Sequence, residues 1–312
     1  MKIILNIILV TLLIVANALA VPAIMEGNDF FSSFIKPSDR NLTQELELST
    51  TKTYASMPCV LQNLASLLPE VACGTSCTIT PQFIGLGIGQ QLYTPDDKAP
   101  TYIVEDDNPY AGWLYARLTR LNQTETERIS TSLYAGIIGP WAFGDEVQSE
   151  FHKLLGQSVF NGWDNQLKNE PAFYLNYKRA FIDYKTPYFM ALTDSEINLG
   201  TVHTDIALRR ELRFGYNLQG YNLDNKKFST YLFLHPEVRG ILRDIFYDGN
   251  TFRDSHRVAK ENFQALVDSG LVLEYYGFQI TYHVSVRTKD YHEQDDNIYF
   301  YAGLKLEKLF EE

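Results

Sequence analysis

"FQITYHVSVRTK", residues 278–289, and "NIYFYAGLKLEKLF", residues 297–310, decide the fold by strict alternation. In the first, Phe278, Ile280, Tyr282, Val284 and Val286 oppose Gln279, Thr281, His283, Ser285 and Arg287. In the second, Ile298, Phe300, Ala302, Leu304 and Leu306 oppose Tyr299, Tyr301, Gly303, Lys305 and Glu307. A period of two places the two sets on opposite faces of a β-strand. "VHTDIALRRELRFG" (202–215) repeats the pattern, with Ile206, Leu208, Leu212 and Phe214 set against Asp205, Arg209, Glu211 and Arg213. These polar faces carry too many charges to form the inner layer of a sandwich. Soluble strands usually span about 5–6 residues, whereas these run to about 9–11, the length of a membrane-crossing strand. Apolar outside and polar inside describes a transmembrane β-barrel.

Working outward, alternating segments cover 23–31, 41–51, 79–93, 112–122, 128–138, 172–183, 188–199, 202–215, 230–247, 263–275, 278–290 and 297–309. The expectation is an all-β, twelve-stranded antiparallel transmembrane β-barrel with a short helix in an outward loop. With both ends periplasmic, the connections beginning near residues 32, 94, 139, 200, 248 and 291 face outward. The insertion 52–78, with a helical pattern in "VLQNLASLLPEVA" and all three cysteines, then faces the periplasm.

The composition agrees. The 20 Tyr and 19 Phe suit interfacial aromatic girdles. A net charge of -11 argues against nucleic acid, whose phosphates demand Lys and Arg. Lys2, a predominantly apolar run from Ile3, and Ala18-Leu19-Ala20 read as a signal peptide over 1–20, with an N-terminal anchor as the alternative. The barrel domain is then 21–312. Export makes one disulfide among Cys59, Cys73 and Cys77, with one thiol left over, the plain expectation. A metal site built on them would need a fourth ligand and a His spacing that the stretch lacks.

The outward loop 139–171 is longer than a hairpin requires, and ordered loops of that length are usually functional. Within it "VQSEFHKLLG" (147–156) reads as a helix, capped by Gly144 or Asp145 and stopped by Gly156. Val147, Phe151, Leu154 and Leu155 make an apolar face expected to pack on the barrel wall. Gln148 and His152 lie one turn apart at its edge. On spacing alone a packing histidine is the commoner case. The chain has no G-x-S-x-G elbow and no H-E-x-x-H. Water is therefore the expected nucleophile if His152 is a base. The acidic runs Glu105-Asp106-Asp107 and 293–296 read as solvated loop tips.

"DDNPYAGWLY" (106–115), "GIIGPWAFGDEVQSEFHKLLG" (136–156), "GWDNQLKNEP" (162–171), "RFGYNL" (213–218) and "DGNTFRDSHRV" (248–258) occur in that order. Together they resemble the LpxR family of outer-membrane lipid A 3'-O-deacylases, across nearly the whole mature chain. The resemblance implies a twelve-stranded barrel and calcium-dependent hydrolysis of the 3'-linked acyloxyacyl ester of lipid A. It implies His152 as the catalytic histidine and Gln148 as its partner one turn before. Asn28 and Asp29 of "GNDFF" match the family's Asn-Asp pair, with Asp29 a Ca²⁺ ligand. Asp39, Arg40 and Thr43 match its Asp-Arg-x-x-Thr pattern. Gln44-Glu45 stands where the family has Asn-Gly, and Asn108 where it has Arg. The implied partners are lipopolysaccharide and the bilayer of a bacterial outer membrane, reached after signal cleavage, and a monomer is expected. Two rival readings are an outer-membrane phospholipase and a non-enzymatic barrel, either pore or adhesin. The latter is compatible with inward charges at Arg209, Glu211, Arg213, Arg287 and Lys289.

Overall fold

A computed structural model of the chain describes residues 23–28, 41–69, 82–97, 99–155, 159–221, 228–275 and 277–308. The strands among them are β1 (Ala23–Asn28), β2 (Asn41–Thr53), β3 (Phe83–Thr94), β4 (Ala111–Gln123), β5 (Glu127–Ile138) and β6 (Glu170–Lys185). They continue as β7 (Phe189–Gly200), β8 (His203–Tyr216), β9 (Ser229–Asp244), β10 (Phe263–Tyr275), β11 (Phe278–Thr288) and β12 (Ile298–Lys308). Every neighbouring pair is antiparallel, and β1 pairs with both β2 and β12, so the sheet closes on itself. Closure removes the unpaired edge that a bilayer would not tolerate.

Alternation sorts the side chains as the sequence implies. On β8, Ile206 and Leu208 are 59% and 55% exposed, while Asp205, Ala207 and Arg209, which alternate with them, are buried. Leu232, Val238, Phe263, Leu271 and Phe278 extend this apolar outer belt. Inside, Arg209 pairs with Asp194 at 3.0 Å and also with Glu196 and Glu237, and Arg239 joins Glu237 at 2.7 Å and Asp205. On the other side of the lumen Arg117 pairs with Glu47, which also accepts from the Tyr115 hydroxyl at 3.1 Å. Buried charges persist only when paired in this way.

Above the ion pairs the lumen is packed with rings. Tyr93 stacks on Phe246 at 3.7 Å, Trp113 on Tyr115 at 4.3 Å and Tyr134 on Tyr174 at 4.4 Å. The buried Asp290 carboxylate ties this layer across the barrel. Its Oδ2 accepts from Asn41 (3.0 Å), Tyr247 (2.8 Å) and Tyr299 (2.5 Å), and its Oδ1 from Gln264 (2.7 Å). Four strands or their ends thus converge on one residue.

Two expectations need correction here. The segment 230–247 was expected to be strand throughout, but β9 stops at Asp244 and Ile245–Asp248 form a helical turn. The Asp244 carboxylate caps that turn by accepting from Phe246 N at 3.0 Å, which outweighs the β-propensity of Ile-Phe-Tyr. Lys289, expected inward, lies past the end of β11 and pairs with Glu261 at 3.4 Å. Two further helices matter below: α1 (Cys59–Ser66) between β2 and β3, and α2 (Gly144–Leu155) between β5 and β6. Cys59 is a free, exposed thiol; Cys73 and Cys77 lie outside the described residues.

Candidate functional site

The site is built from the β5–β6 connection folding back over the wall. Gly139 opens it at φ 99°, in the left-handed region, where an added Cβ would lie 2.7 Å from Asn169 N. A 3-10 turn, Pro140–Ala142, leads into α2. The sequence places the cap at Gly144 or Asp145; in the structure Gly144 is already the first helical residue, and Phe143 takes the left-handed φ of 58° before it.

Which side of the wall carries the helix follows from register. Trp113, Tyr115 and Arg117 of β4 point into the lumen, so Gly112 points outward. A Cβ on Gly112 would meet Gly144 Cα at 3.2 Å and Ala142 Cβ at 3.3 Å. On β3, Tyr93 and Gln91 face inward, the latter donating to Glu45, while Leu92 and Gln90 face outward. Gln90 Nε2 donates to Ala142 O at 2.6 Å, and a Cβ on Gly144 would lie 3.1 Å from Leu92 Cδ2. Helix α2 therefore lies on the outer, lipid-side face of β3 and β4, at their outward ends. It reaches back past β4, which brings the sixth-strand loop to within one strand of β2.

The side it turns to the wall takes in the polar pair as well as part of the apolar face, whose Val147 packs against Leu92, Tyr110, Phe160 and Trp163. Gly144, Gln148 and His152, spaced four apart, are buried, whereas Val147 and Phe151 of the apolar face are only half-buried. Gln148 and His152, 4% and 6% exposed, thus sit within the helix's buried stripe rather than at its edge. Gln148 Oε1 accepts from Trp163 Nε1 at 2.9 Å, and the His152 ring meets Phe160 edge-on at 4.9 Å. Phe160 and Trp163 come from the returning half of the loop and pack with Leu92 and Tyr110. Burial pushes the Tyr110 phenol up to about 12, so it stays protonated and is no base.

Thr43 stands on the other side of Leu92. The β2–β3 register shifts between Leu42 and Gln44, so Thr43 is the extra residue of a bulge, a device common beside functional sites. Its hydroxyl donates to Leu92 O at 3.0 Å, in a buried position. Asn28 ends β1 with its backbone paired to Gln44, next to the bulge. Asp29, Asp39 and Arg40 lie outside the described residues. The fold thus brings β1's end, Thr43, Leu92 and the helix to one stretch of rim.

Among the described residues no three His, Cys, Asp or Glu side chains converge to hold a metal. Calcium takes about six to eight oxygen ligands. Thr43 Oγ1, the Leu92 carbonyl and Gln148 Oε1 are oxygens of that hard kind, and a thiol is not among them. These are neutral oxygens of a kind calcium accepts, and the carboxylate that the resemblance offers, Asp29, lies outside the described residues.

Several residues at this rim were not singled out by their sequence context. Asp107, expected in a solvated tip, is buried and accepts from the Tyr291 hydroxyl at 2.8 Å and from Asp96 N and Asn108 N at 2.8 Å each. Its carbonyl lies 2.7 Å from His256 Nε2. Glu170 accepts from Thr251 N (2.7 Å) and Phe252 N (3.0 Å). Asn250 exchanges two 2.8 Å bonds with the Lys168 backbone. Asn108, standing for the family's arginine, is 1% exposed and donates to Pro109 O. The outward loops are thereby latched to one another around the site, by contacts between distant segments that no local pattern announces.

Comparison with known proteins follows this geometry. A family model described as "Outer membrane protein LpxR" matches residues 5–310. No curated protein sequence matches. The solved structure of LpxR from Salmonella typhimurium superposes with a TM-score of 0.73 at 16% identity, covering 92% of this chain and 99% of that one. The β domain of the Bordetella autotransporter BrkA covers 92% of this chain and 97% of its own at 10% identity, with a TM-score of 0.41 that carries no weight. The structural likeness shows a shared antiparallel β fold, and the family match spans nearly all of the sequence: the chain belongs to the LpxR family of outer membrane proteins.

Proposed function

We propose that the chain is a calcium-dependent lipid A 3'-O-deacylase, a carboxylic ester hydrolase working in the outer leaflet of the outer membrane. In this reading its barrel spans the membrane with α2 at the cell surface. The observation that carries it is the buried Gln148–His152 stripe on the outer face of β3 and β4. An imidazole there meets a substrate that never leaves the membrane.

In the proposed reaction His152 takes a proton from water as the water oxygen attacks the ester carbonyl, and returns it to the departing 3' oxygen. The products are the free acyloxyacyl acid and a 3'-hydroxyl. Gln148, held by Trp163, orients the water or the substrate. Thr43 turns its one hydroxyl proton from the Leu92 carbonyl to donate a hydrogen bond from the bulge, and the Asn28 amide stabilises the developing oxyanion. Asp29 would hold Ca²⁺, and Thr43 Oγ1 and the Leu92 carbonyl are oxygens of the kind that could share in holding it. When bound, calcium supplies positive charge that polarises the carbonyl.

The filled lumen counts against a pore. The test is mass spectrometry of lipid A from cells with and without the protein. Loss of one acyloxyacyl unit at the 3' position supports the reading. Unchanged lipid A, or lyso-phospholipids in its place, overturns it.

A further inference from the structure

The function above makes no use of the segment between β2 and β3, at the opposite end of the barrel from α2. Its placement on the wall can be read from register. A Cβ on Gly87 would meet Arg117 and Glu47, and Thr119 bonds Ser132 across the lumen side, so Ile84, Leu86, Arg120 and Thr131 point outward. Ile84, Arg120 and Thr131 form one row across β3, β4 and β5, and all three are buried. Two rows above, Ile88, Ala116 and Ala135 are exposed. The lower row is therefore covered while the middle of the same wall is bare.

The cover is residues 57–69. Met57, Leu61 and Ala65 pack on Ile84, Leu86 and Leu118, and the Thr131 hydroxyl donates to Pro69 O at 3.1 Å. Helix α1 thus lies against the lipid-side face of the barrel. Its remaining face is apolar too: Val60, Leu64 and Leu67, at i, i+4 and i+7, are 70%, 46% and 79% exposed. Apart from the exposed Asn63 and Ser66, the free side is apolar, as on a helix that is buried or lies in a membrane.

Two further observations say which medium covers it. No charged residue occurs from Thr53 to Pro69. Two of the helix's polar side chains bond within the segment, as lipid favours: Gln62 Nε2 donates to Tyr54 O (3.1 Å) and Met57 O (2.8 Å), and Ser66 Oγ to Asn63 O (2.7 Å). The exposed stripe is also continuous with the bare Ile88–Ala116–Ala135 row, which belongs to the barrel's lipid belt. An outward arginine is unfavourable against acyl chains, and Arg120 is 6% exposed beneath this cover.

We propose that α1 is embedded in the membrane, with Val60, Leu64 and Leu67 seated among the phospholipid acyl chains of the leaflet opposite to that of α2. It extends the barrel wall sideways into that leaflet. The full chain is reconstituted into phosphatidylcholine vesicles with or without brominated acyl chains, and the fluorescence added by Leu64→Trp is measured against the parent. Bromine quenches this fluorescence as strongly as that added by Leu271→Trp on the bare face of β10. Fluorescence as insensitive as that of Asp254→Trp in an outward loop overturns the proposal, and assigns the face to water or to a protein partner. A second measurement adds Leu64→Asp and Leu67→Asp to a Val60→Trp chain. Lost quenching in a barrel that keeps heat-modifiable gel migration supports lipid seating, and unchanged quenching refutes it. The Trp variants exchange apolar for apolar, so they remain informative if the Asp variants fail to fold.

Discussion

His152→Asn separates a base from a packing residue, and the structure sets the size of each outcome. The imidazole packs with its edge against Phe160 at 4.9 Å. An aromatic pair of this geometry contributes about 0.5–1.5 kcal/mol beyond its buried area. Against a folding stability of about 5–15 kcal/mol, that loss leaves nearly all of the protein folded. A packing histidine therefore predicts an activity loss well under about tenfold, given a factor of ten per about 1.4 kcal/mol. A general base predicts a fall of about 10²–10⁴, or about 2.7–5.4 kcal/mol of barrier.

Phe160→Leu is the matched control, because it removes the same ring contact and leaves the imidazole in place. Rates are measured by mass spectrometry of lipid A in mixed micelles, with folding followed by heat-modifiable gel migration. His152→Asn falls by at least two orders of magnitude while Phe160→Leu stays within about tenfold of the parent. Gln148→Ala is intermediate, since an amide orients water but takes no proton. A folded His152→Asn protein within tenfold of the parent rate refutes the assignment. So does a Phe160→Leu loss as deep as that of His152→Asn, because the loop's packing would then account for both.

Three other outcomes are expected. Chelation abolishes the hydrolysis and Ca²⁺ restores it better than Mg²⁺, whose octahedral demand a partly lipid-facing site is ill suited to meet; full activity in excess chelator removes the ion from the reaction. Leu271→Arg, on the exposed outer face of β10, destabilises the barrel by about 2–4 kcal/mol in urea refolding if near the midplane. Lys178→Arg, which keeps the inward pair with Asp194 at 3.0 Å, is tolerated; equal effects at the two positions would contradict the assignment of faces. Asp290→Asn sets an amide NH₂ against the Asn41, Tyr247, Tyr299 or Gln264 donors, costing about 1–3 kcal/mol for a buried unmade bond. An unchanged urea midpoint would show that the hub does not tie the strands together.

The barrel was legible because a membrane strand repeats one rule along its whole length. The segments read from alternation, such as 202–215 and 263–275, fall within a residue or two of β8 and β10. Helix α2 was legible too, from Asp145 and Glu146 in its first turn and Lys153 in its last. What the pattern understated was how deep the polar pair sits. A hydrophobic stripe marks the packed side of a helix only when the opposite side meets water. On α2 the side opposite Gln148 carries Glu146, Glu150 and the Lys153 paired with it, and the apolar stripe lies beside the buried pair rather than across from it. Val147 and Phe151 flank the contact half-buried, and the close approach of Gly144 to Leu92 and Trp163 lets the wall side hold Gln148 and His152. The partners that hold them, Trp163 and Phe160, lie 15 and 8 residues further on, across a turn whose return path local periodicity does not encode. Thr43 was found only through the resemblance, since a bulge depends on register with β3 and a lone threonine in a strand gives no sign of it. The buried pair is also what makes a lipid ester a reasonable substrate. A polar stripe facing the lumen would serve a soluble ligand, whereas one clamped between a helix and the lipid-side wall can be approached sideways, by a molecule already in the leaflet.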